Sequence, residues 1–378
     1  MFKTLKLRIF PTKEQEELLW KHVHGSRFVW NYGLALERQQ KKILSGNSLR
    51  KEFQKLKNTE EYSWLKEISS HTIAETCSAL DKAFKRFFNK TSDYPQFKKK
   101  NKTKNSFITR QEHFVFKNGT VNIEKVGKVR IKPPKNKLTK QILKKEKFYN
   151  TKVTYTDNKW IVIFAYEGEN QAKKLENYSL GIDLGVRKLA VISYDNNFKT
   201  FENINQTKKV KRLKERLKFL MRKQQRKYAT NNRLNKYENK WHKTNNILKV
   251  EKEIRKIYKK LSNIRHNYIH QTTYEIVSLF PQKIIMEDLD IKQLLKNKYR
   301  AKIISEQNWS SFIKTIKYKC EERGIEFKQV NKFYPSSQIC SKCGFTHKKL
   351  GKEEVYICPK CGLIINSDLN AALNLSRQ

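Results

Sequence analysis

The sequence predicts a multidomain α+β protein. The chain has 378 residues, which is enough for two or three domains that each bury a core. Its apolar residues have helical spacing over about residues 13–92 and alternate over about 106–167. From Ser179 onward the pattern is mixed. These changes of period predict a helical unit, a small β-barrel or sheet, and an α/β domain, in that order.

The first strand is predicted to be separated from its partners by the helical unit. Residues 2–10 alternate apolar and basic side chains up to Pro11, as expected for a half-buried strand. Thr12 to Gln15 have the pattern of a capping box at a helix start. Short alternating runs such as 113–116 and 120–123 predict the strands with which the first strand pairs.

The charge balance indicates a polyanionic partner. The chain carries 82 Lys and Arg against 36 Asp and Glu, a formal charge of +46, which indicates nucleic acid. No run of 18 apolar residues is present, so no membrane partner is expected. Residues 208–265 hold 22 basic and four acidic residues, which predicts long helices whose basic face contacts phosphates rather than only solvent. The candidate nucleic-acid contacts are Lys98, Lys208, Lys209, Arg212, Arg216, Arg222, Lys223 and Arg226.

Four cysteines form the most specific metal signature in the chain. Two Cys-x-x-Cys pairs separated by 14 residues predict one structural, tetrahedral Zn²⁺. The four predicted ligands are Cys340, Cys343, Cys358 and Cys361. His347 is interpreted as a bystander because cysteines fill all four positions. The N-terminus lacks a signal-peptide pattern, so an intracellular, reducing location is expected. Cys77 and Cys320 lie in apolar stretches and are expected to be buried structural thiols.

Three carboxylates are candidates for a catalytic metal site. Asp183 and Glu287 each lie within or beside an apolar strand, where an unpaired charge is costly. Asp368 opens the last helix and could instead be its N-cap. Together they would supply oxygens for two Mg²⁺ ions, as phosphodiester hydrolysis requires. Alternatively, Asp288 or Asp290 replaces Glu287. A regular strand cannot turn both Glu287 and Asp288 toward one site.

Several motifs resemble, in order, those of the TnpB family of insertion-sequence-encoded RNA-guided nucleases. They are Ile182-Asp183-Leu184-Gly185, Met286-Glu287-Asp288-Leu289, the segment from Phe333 to Gly344, and Asp368-Leu369-Asn370-Ala371-Ala372. Two N-terminal segments, Arg27-Phe28-Val29-Trp30-Asn31 and Tyr94-Pro95-Gln96-Phe97-Lys98, also resemble that family. The resemblance covers nearly the whole chain.

The resemblance implies a wedge β-barrel with an inserted helical recognition domain, followed by an RNase H-like RuvC domain with an inserted zinc ribbon. It makes Asp183, Glu287 and Asp368 a catalytic triad that binds two Mg²⁺ ions, for which Mn²⁺ can substitute. It also implies a guide RNA from the transposon end and a double-stranded DNA target beside a short adjacent motif. The expected segments are 1–12 wedge strand, 13–104 helical recognition domain, 105–176 wedge barrel, 177–331 RuvC domain with basic helices, 332–365 zinc ribbon and 366–378 RuvC C-terminal helix.

One departure from the family pattern affects the third acid. The family often has Asp-Arg-Asp where this chain has Asn366-Ser367-Asp368. Because all three acids remain, DNA cleavage is expected, by a monomeric protein in a ribonucleoprotein. The alternatives are an RNA-guided DNA-binding repressor that does not cut and a DNA transposase. The expected setting is the cytoplasm, near the nucleoid, with a bacterial, archaeal or phage gene.

Overall fold

The computed structural model describes residues 2–40, 42–100, 102–134, 136–145, 147–168, 174–234, 243–299, 301–331, 333–347 and 354–378. The chain divides into two compact units, residues 1–169 and 170–378. Among the described helices, none combines the length and apolarity needed to cross a bilayer. The finer division into six segments stays a prediction.

The first unit contains seven strands and four helices among its described residues. They are β1 (Phe2–Phe10), α1 (Lys13–Gln40), α2 (Gly46–Leu56), α3 (Ser70–Phe88), β2 (Asn105–Ile108), β3 (Phe116–Lys117), β4 (Thr120–Ile123), β5 (Gly127–Ile131), α4 (Lys137–Ile142), β6 (Tyr149–Thr156) and β7 (Lys159–Glu167). A 3₁₀ helix spans Ser63–Glu67.

The seven strands form one antiparallel sheet in the order β2-β6-β7-β1-β5-β4-β3. The N-terminal strand β1 pairs with β7 and β5, which follow the helices in sequence, so its predicted separation from its partners is confirmed. The prediction of a strand over 113–116 is wrong except at Phe116. Its apolar pattern reflects burial of Phe114 against Phe148 and Phe164 rather than an extended ladder.

The helical part of the first unit begins with the predicted capping box. The amide of Gln15 donates to Thr12 Oγ1 at 3.2 Å, and the Thr12 amide donates to Gln15 Oε1 at 3.1 Å. Helix α1 contributes Leu19 and Val23 to the core of the sheet. Further along, it contributes to a second core with α2 and α3. One long helix therefore joins both cores of this unit.

The second unit contains the remaining described elements. They are β8 (Glu176–Leu184), β9 (Lys188–Tyr194), β10 (Asn197–Glu202), α5 (Lys208–Leu234), α6 (Asn245–Val277), β11 (Pro281–Glu287), α7 (Ile291–Leu295), α8 (Ala301–Gln307), α9 (Trp309–Arg323), β12 (Glu326–Val330), β13 (Val355–Ile357), β14 (Ile364–Asn366) and α10 (Ser367–Ser376). A 3₁₀ turn spans Ile204–Gln206.

A five-stranded mixed sheet in the order β10-β9-β8-β11-β12 forms the centre of this unit. Strands β8, β9 and β10 pair antiparallel, whereas β11 runs parallel to both β8 and β12. Strands β13 and β14 form a separate two-stranded ribbon next to α10 in sequence. Helices α5 and α6 pack together through their own apolar cluster, which includes Leu217, Leu220 and Ile254. The sheet thus brings two parallel strand ends, those of β8 and β11, next to each other.

Candidate carboxylate site and metal centre

Asp183 and Glu287 lie side by side at the ends of two parallel strands. Ile182 of β8 pairs with Met286 of β11, and the two acids are the residues that follow this pair. Neighbouring strands are about 4.8 Å apart, and residues in register point to the same face of the sheet. The buried partners Ile182 and Met286 face the apolar core on the opposite side. The strand register therefore places both carboxylates on one face.

Helix α10 covers that same face and brings Asp368 to it. Gly181 lies two residues before Asp183, and a Cβ added there would come within 2.0 Å of the Ala372 carbonyl oxygen in α10. Glycine is needed because the helix backbone crosses the strand so closely. In the first turn of α10, Asp368 Oδ2 lies 4.0 Å from the position of a Cβ on Gly185, just beyond β8. The structure thus brings the three sequence-predicted acids together.

Asp183 is affected by the charges of the other two acids. Burial raises the pKa of Asp183 to about 7, and the charges of Asp368 and Glu287 add to the rise. Burial, followed by the charge of Asp288, raises the pKa of Glu287. Within the described part of the chain, none of the three acids forms an ion pair with a Lys or Arg. Their ionised forms therefore lack a compensating positive charge from those residues.

The two rival acids have other partners. Asp288 accepts a hydrogen bond from Gln329 Nε2 at 3.1 Å, and its amide donates to the Val330 carbonyl on β12. Asp290 is the N-cap of α7 and accepts from the Gln293 amide at 3.0 Å. Glu287 is thus the acid of this segment that shares a face with Asp183.

The N-cap of α10 is Asn366 rather than Asp368. Asn366 Oδ1 accepts the Leu369 amide at 3.2 Å, and its side-chain amide donates to the Glu354 carbonyl. The interpretation of Asp368 as an N-cap is therefore wrong, because the helix begins two residues earlier. The residue that departs from the family pattern caps the helix that carries Asp368.

The four predicted cysteines form a compact thiol cluster. Their sulfur atoms all lie within 4.8 Å of one another, with 3.6 Å between Cys340 and Cys361 and between Cys343 and Cys358. A tetrahedron with Zn–S bonds of about 2.3 Å has S···S edges of about 3.8 Å. A disulfide would require about 2.05 Å. The sulfur separations therefore fit a shared metal ion and exclude disulfides in this arrangement.

Two equivalent backbone turns hold the cysteine pairs. The Gly344 amide donates to the Cys340 carbonyl at 2.9 Å, and the Gly362 amide donates to the Cys358 carbonyl at 3.0 Å. Both glycines have left-handed backbone angles, φ +73° and +69°, which explains their place directly after each pair. His347 is not among the clustered ligands in the described chain.

Two buried asparagines connect the cysteine loop to α10. Asn370 accepts the Ser341 amide at 2.9 Å and donates to the Ile339 carbonyl at 2.7 Å. One turn later, Asn374 donates to the carbonyls of Ser336 and Ile339. Sequence reasoning missed this role, although asparagines four residues apart on an otherwise apolar helix are a usable signal. Through them, the cysteine cluster is bonded to the helix that carries Asp368.

The remaining predicted residues are also located. Cys77 and Cys320 are buried, and burial raises the pKa of each thiol to about 12, which agrees with structural roles. Helix α5 carries twelve basic residues and one acid. The seven candidate contacts on it are all exposed: Lys208, Lys209, Arg212, Arg216, Arg222, Lys223 and Arg226. Lys98 differs because it is half-buried in the first unit.

Three family models match separate parts of the chain. Residues 1–42 match "Helix-turn-helix domain", 163–298 match "Probable transposase" and 309–375 match "Cas12f1-like, TNB domain". In the structure, the described part of the first match is one strand followed by a single 28-residue helix. The third match contains the cysteine cluster and Asp368.

Related proteins match over nearly the full length. The chain is 26% identical to "Putative RNA-guided DNA endonuclease" of Streptomyces pristinaespiralis, over 99% of this chain and 88% of that protein. It is also 26% identical to "Putative RNA-guided DNA endonuclease InsQ" of Escherichia coli K12, over 98% and 90%. "TnpB-like protein L79" of Acanthamoeba polyphaga mimivirus is 23% identical, over 98% and 72%.

Solved structures share the fold. The Cas12f1 chain of "Cryo-EM structure of the Cas12f1-sgRNA-target DNA complex" gives a TM-score of 0.61 at 16% identity, over 100% of this chain and 98% of that one. "Structure of the mini-RNA-guided endonuclease CRISPR-Cas_phi3" gives 0.51 at 13% identity, over 100% and 92%. The fold is thus a mixed α/β fold of the class seen in compact CRISPR effectors. Over nearly its full length, the chain is thus similar to TnpB-like proteins and to proteins named putative RNA-guided DNA endonucleases.

Proposed function

We propose that this protein is an RNA-guided DNA endonuclease of the RuvC type. Its guide RNA would derive from the transposon end, and the DNA target would lie beside a short transposon-associated motif. The observation that carries the proposal is the convergence of Asp183, Glu287 and Asp368 on one face of the sheet, without ion-pair partners among the described residues.

The carboxylate site fits divalent cations of the magnesium type. Burial raises the pKa of Asp183 and of Glu287, and bound cations would supply the positive charge that their ionised forms lack. Two such ions about 3.5–4 Å apart would activate water and stabilise the leaving oxygen when bound.

The chain's own residues position the reaction. Asp183 and Glu287 are fixed by strand register, and Asp368 is fixed by its place in the first turn of α10. In hydrolysis, the oxygen of a water molecule forms a new bond to phosphorus, and the bond from phosphorus to the 3′-oxygen breaks. The 3′-oxygen takes up a proton released by that water. Mn²⁺, which also accepts oxygen ligands, would substitute for Mg²⁺.

The strand order supports an RNase H-like nuclease domain. Three antiparallel strands followed by two parallel strands place acids from β8, β11 and the C-terminal helix at one edge. The sheet of the first unit would be the wedge domain, and its helices α1 to α3 the recognition domain. The four cysteines would hold one structural zinc, since all four tetrahedral positions are filled by protein.

The basic surface supports nucleic acid as the partner. The three acids of α6 all form ion pairs: Glu251 contacts Lys243 and Arg255, Glu253 contacts Arg216 of α5, and Glu275 contacts Lys199. A large positive surplus on α5 and α6 then remains for the phosphates of guide RNA and DNA. We place the protein in the cytoplasm near the nucleoid, as a monomer within its ribonucleoprotein.

Neither alternative function is favoured by a particular feature. The altered Asn366-Ser367 pair does not favour a non-cutting repressor, because Asn366 serves as the N-cap of α10 and Asp368 is retained. A transposase would join DNA ends rather than leave them cut.

The proposal is tested by co-expressing the gene with its downstream DNA flank and purifying the ribonucleoprotein. Bound RNA is sequenced, and a plasmid library with a matching target beside randomised positions is incubated with the complex in Mg²⁺. We expect linear plasmid and enrichment of one adjacent motif. Target retention without cutting would indicate the repressor, and joined ends would indicate the transposase. Asp183→Ala is the control that should bind but not cut.

A further inference from the structure

The two N-terminal motifs that resemble the family meet at one place in the first unit. Asn31 donates to the Lys98 carbonyl at 3.1 Å and accepts the Lys98 amide at 2.7 Å. Trp30 Nε1 donates to the Gln96 carbonyl at 3.0 Å. Residues of α1 therefore clamp the backbone of the second motif.

Trp30 also contacts the side chain of Lys98. Its ammonium nitrogen lies 3.6 Å from the centroid of the Trp30 ring, a cation–π contact. No carboxylate of the described residues forms an ion pair with Lys98. A half-buried lysine is thus held at both ends without a counter-ion among those residues.

Lys98 lines a small cavity whose described lining contains no acid. The cavity has a volume of about 280 Å³. It is lined by Val23, Ser26, Arg27, Lys98, Thr103, Lys104 and Ser106. Among the described residues, the Arg27 side chain has one hydrogen bond, a long contact of 3.5 Å to Asn105 Oδ1. Three cationic residues and three hydroxyl-bearing residues therefore line a space of suitable size for a small anionic group.

The cations of this region disfavour one another. Burial, followed by the charge of Lys152 on β6, lowers the pKa of Lys98 to about 8. Burial, followed by the charge of Lys104, lowers the pKa of Lys152. A bound anion would supply the missing negative charge and would therefore raise the pKa of both lysines again.

We propose that this cavity binds one phosphodiester group of a nucleic-acid backbone. Arg27 offers a planar fork of donors that matches phosphate oxygens, and Lys98 and Lys104 add point charges. The inference rests on the proposed function only in taking nucleic acid as the source of the phosphate. Guide RNA and target DNA present the same group, and the experiment distinguishes them.

The test compares Lys98→Met with Lys99→Met in the full-length protein. Lys99 is exposed, does not line the cavity and carries the same charge, so its variant controls for the loss of one positive charge. The first arm measures binding of guide RNA to the protein against salt concentration. The second arm measures binding of target DNA to a ribonucleoprotein that also carries Asp183→Ala.

In one arm, Lys98→Met should weaken binding roughly 10-fold and reduce the slope of log K against log salt by about 0.7 to 0.9, while Lys99→Met changes little. An effect in the first arm identifies RNA, and one in the second identifies DNA. Thermal stability of Lys98→Met should be no lower than that of the unsubstituted protein, because removal of a half-buried ammonium offsets the loss of the cation–π contact to Trp30. Equal behaviour of the two variants in both arms, or a binding loss matched by a fall in stability, would overturn the proposal.

A separate arm keeps this inference distinguishable from the proposed function. Inorganic phosphate is added at constant ionic strength, and the gain in melting temperature is measured for the three proteins. Unsubstituted protein and Lys99→Met should gain more than Lys98→Met, even if no guide RNA or cleavage is found. An identical gain in all three would overturn the cavity as an anion site.

Discussion

The cysteine cluster and the carboxylate site reach their geometry by different routes. The four cysteines lie within 22 residues of sequence, and two short turns with left-handed glycines are enough to orient each pair. Asp183 and Glu287 are about a hundred residues apart in sequence, and Asp368 is about eighty residues further on. These acids meet only through sheet register and helix packing. Local spacing therefore specifies the first site, whereas long-range packing specifies the second.

The two sites are nevertheless physically coupled. Helix α10 carries Asp368 in its first turn, and Asn370 and Asn374 bond the same helix to the cysteine loop. A substitution that shifts α10, either where it crosses β8 at Gly181 or at the cysteine loop, should therefore displace Asp368.

The largest effect is expected from Glu287→Gln, with Asp288→Asn as the matched control. Glu287 shares a face with Asp183, so its neutralisation should reduce the cleavage rate by at least about 10³-fold while target binding is retained. Asp288 faces β12, and asparagine keeps the oxygen that accepts from Gln329. Its variant should cut within about threefold of normal. Single-turnover cleavage and filter binding provide the measurements, and the reverse ranking would remove Glu287 from the site.

Gly181→Ala tests whether close helix packing assembles the acids. The added methyl group would meet the Ala372 carbonyl oxygen of α10 at 2.0 Å, so the helix must move. We expect a loss of about 3 kcal/mol in unfolding free energy and a marked fall in cleavage. Gly185→Ala, whose nearest contact is 3.2 Å, should cost less. Chemical denaturation compares the two, and equal stabilities would show that α10 does not depend on this glycine.

Asn370→Ala tests the coupling between the two sites. It leaves the Ser341 amide without its acceptor, whereas the Ile339 carbonyl keeps its hydrogen bond from Asn374, so the substitution should cost about 1–3 kcal/mol. Cleavage should fall, and zinc should be lost at a lower chelator concentration, although no cysteine is changed. Elemental analysis should give about one zinc per chain before chelation. Unchanged zinc retention together with full cleavage would contradict the coupling.

The smallest effect is expected at Asn366. Aspartate is as good an N-cap as asparagine, so Asn366→Asp should change the unfolding free energy by less than about 0.5 kcal/mol. Asn366→Ala removes the cap of α10 and should cost about 1 kcal/mol. Thermal denaturation distinguishes the two variants. If Asn366→Asp instead raised cleavage more than about tenfold, the departure from the family pattern would be a catalytic defect rather than a neutral cap exchange.

Much of the fold is predictable from the sequence because local residue patterns determine its individual strands and helices. The β1 alternation, the capping box of α1 and the long basic helices all follow from short-range periodicity, and the structure contains them. The strand predicted over 113–116 is wrong except at Phe116, because one buried aromatic residue, Phe114, produces an apolar pattern like that of a strand. Alternation over so few residues does not distinguish a ladder from an anchored loop.

The sequence by itself determined the candidate chemical groups: the four cysteines of the cluster, the three acids and the positive surplus. Only the tertiary structure decided which acid of the Glu287-Asp288 pair shares a face with Asp183, and that Asn366 rather than Asp368 caps α10. It also decided that Lys98, unlike the exposed lysines of α5, lies in a cavity beside Arg27. The physical reason is that residue chemistry and local turns are encoded nearby in the chain, whereas face, depth and neighbours depend on elements that are remote in sequence.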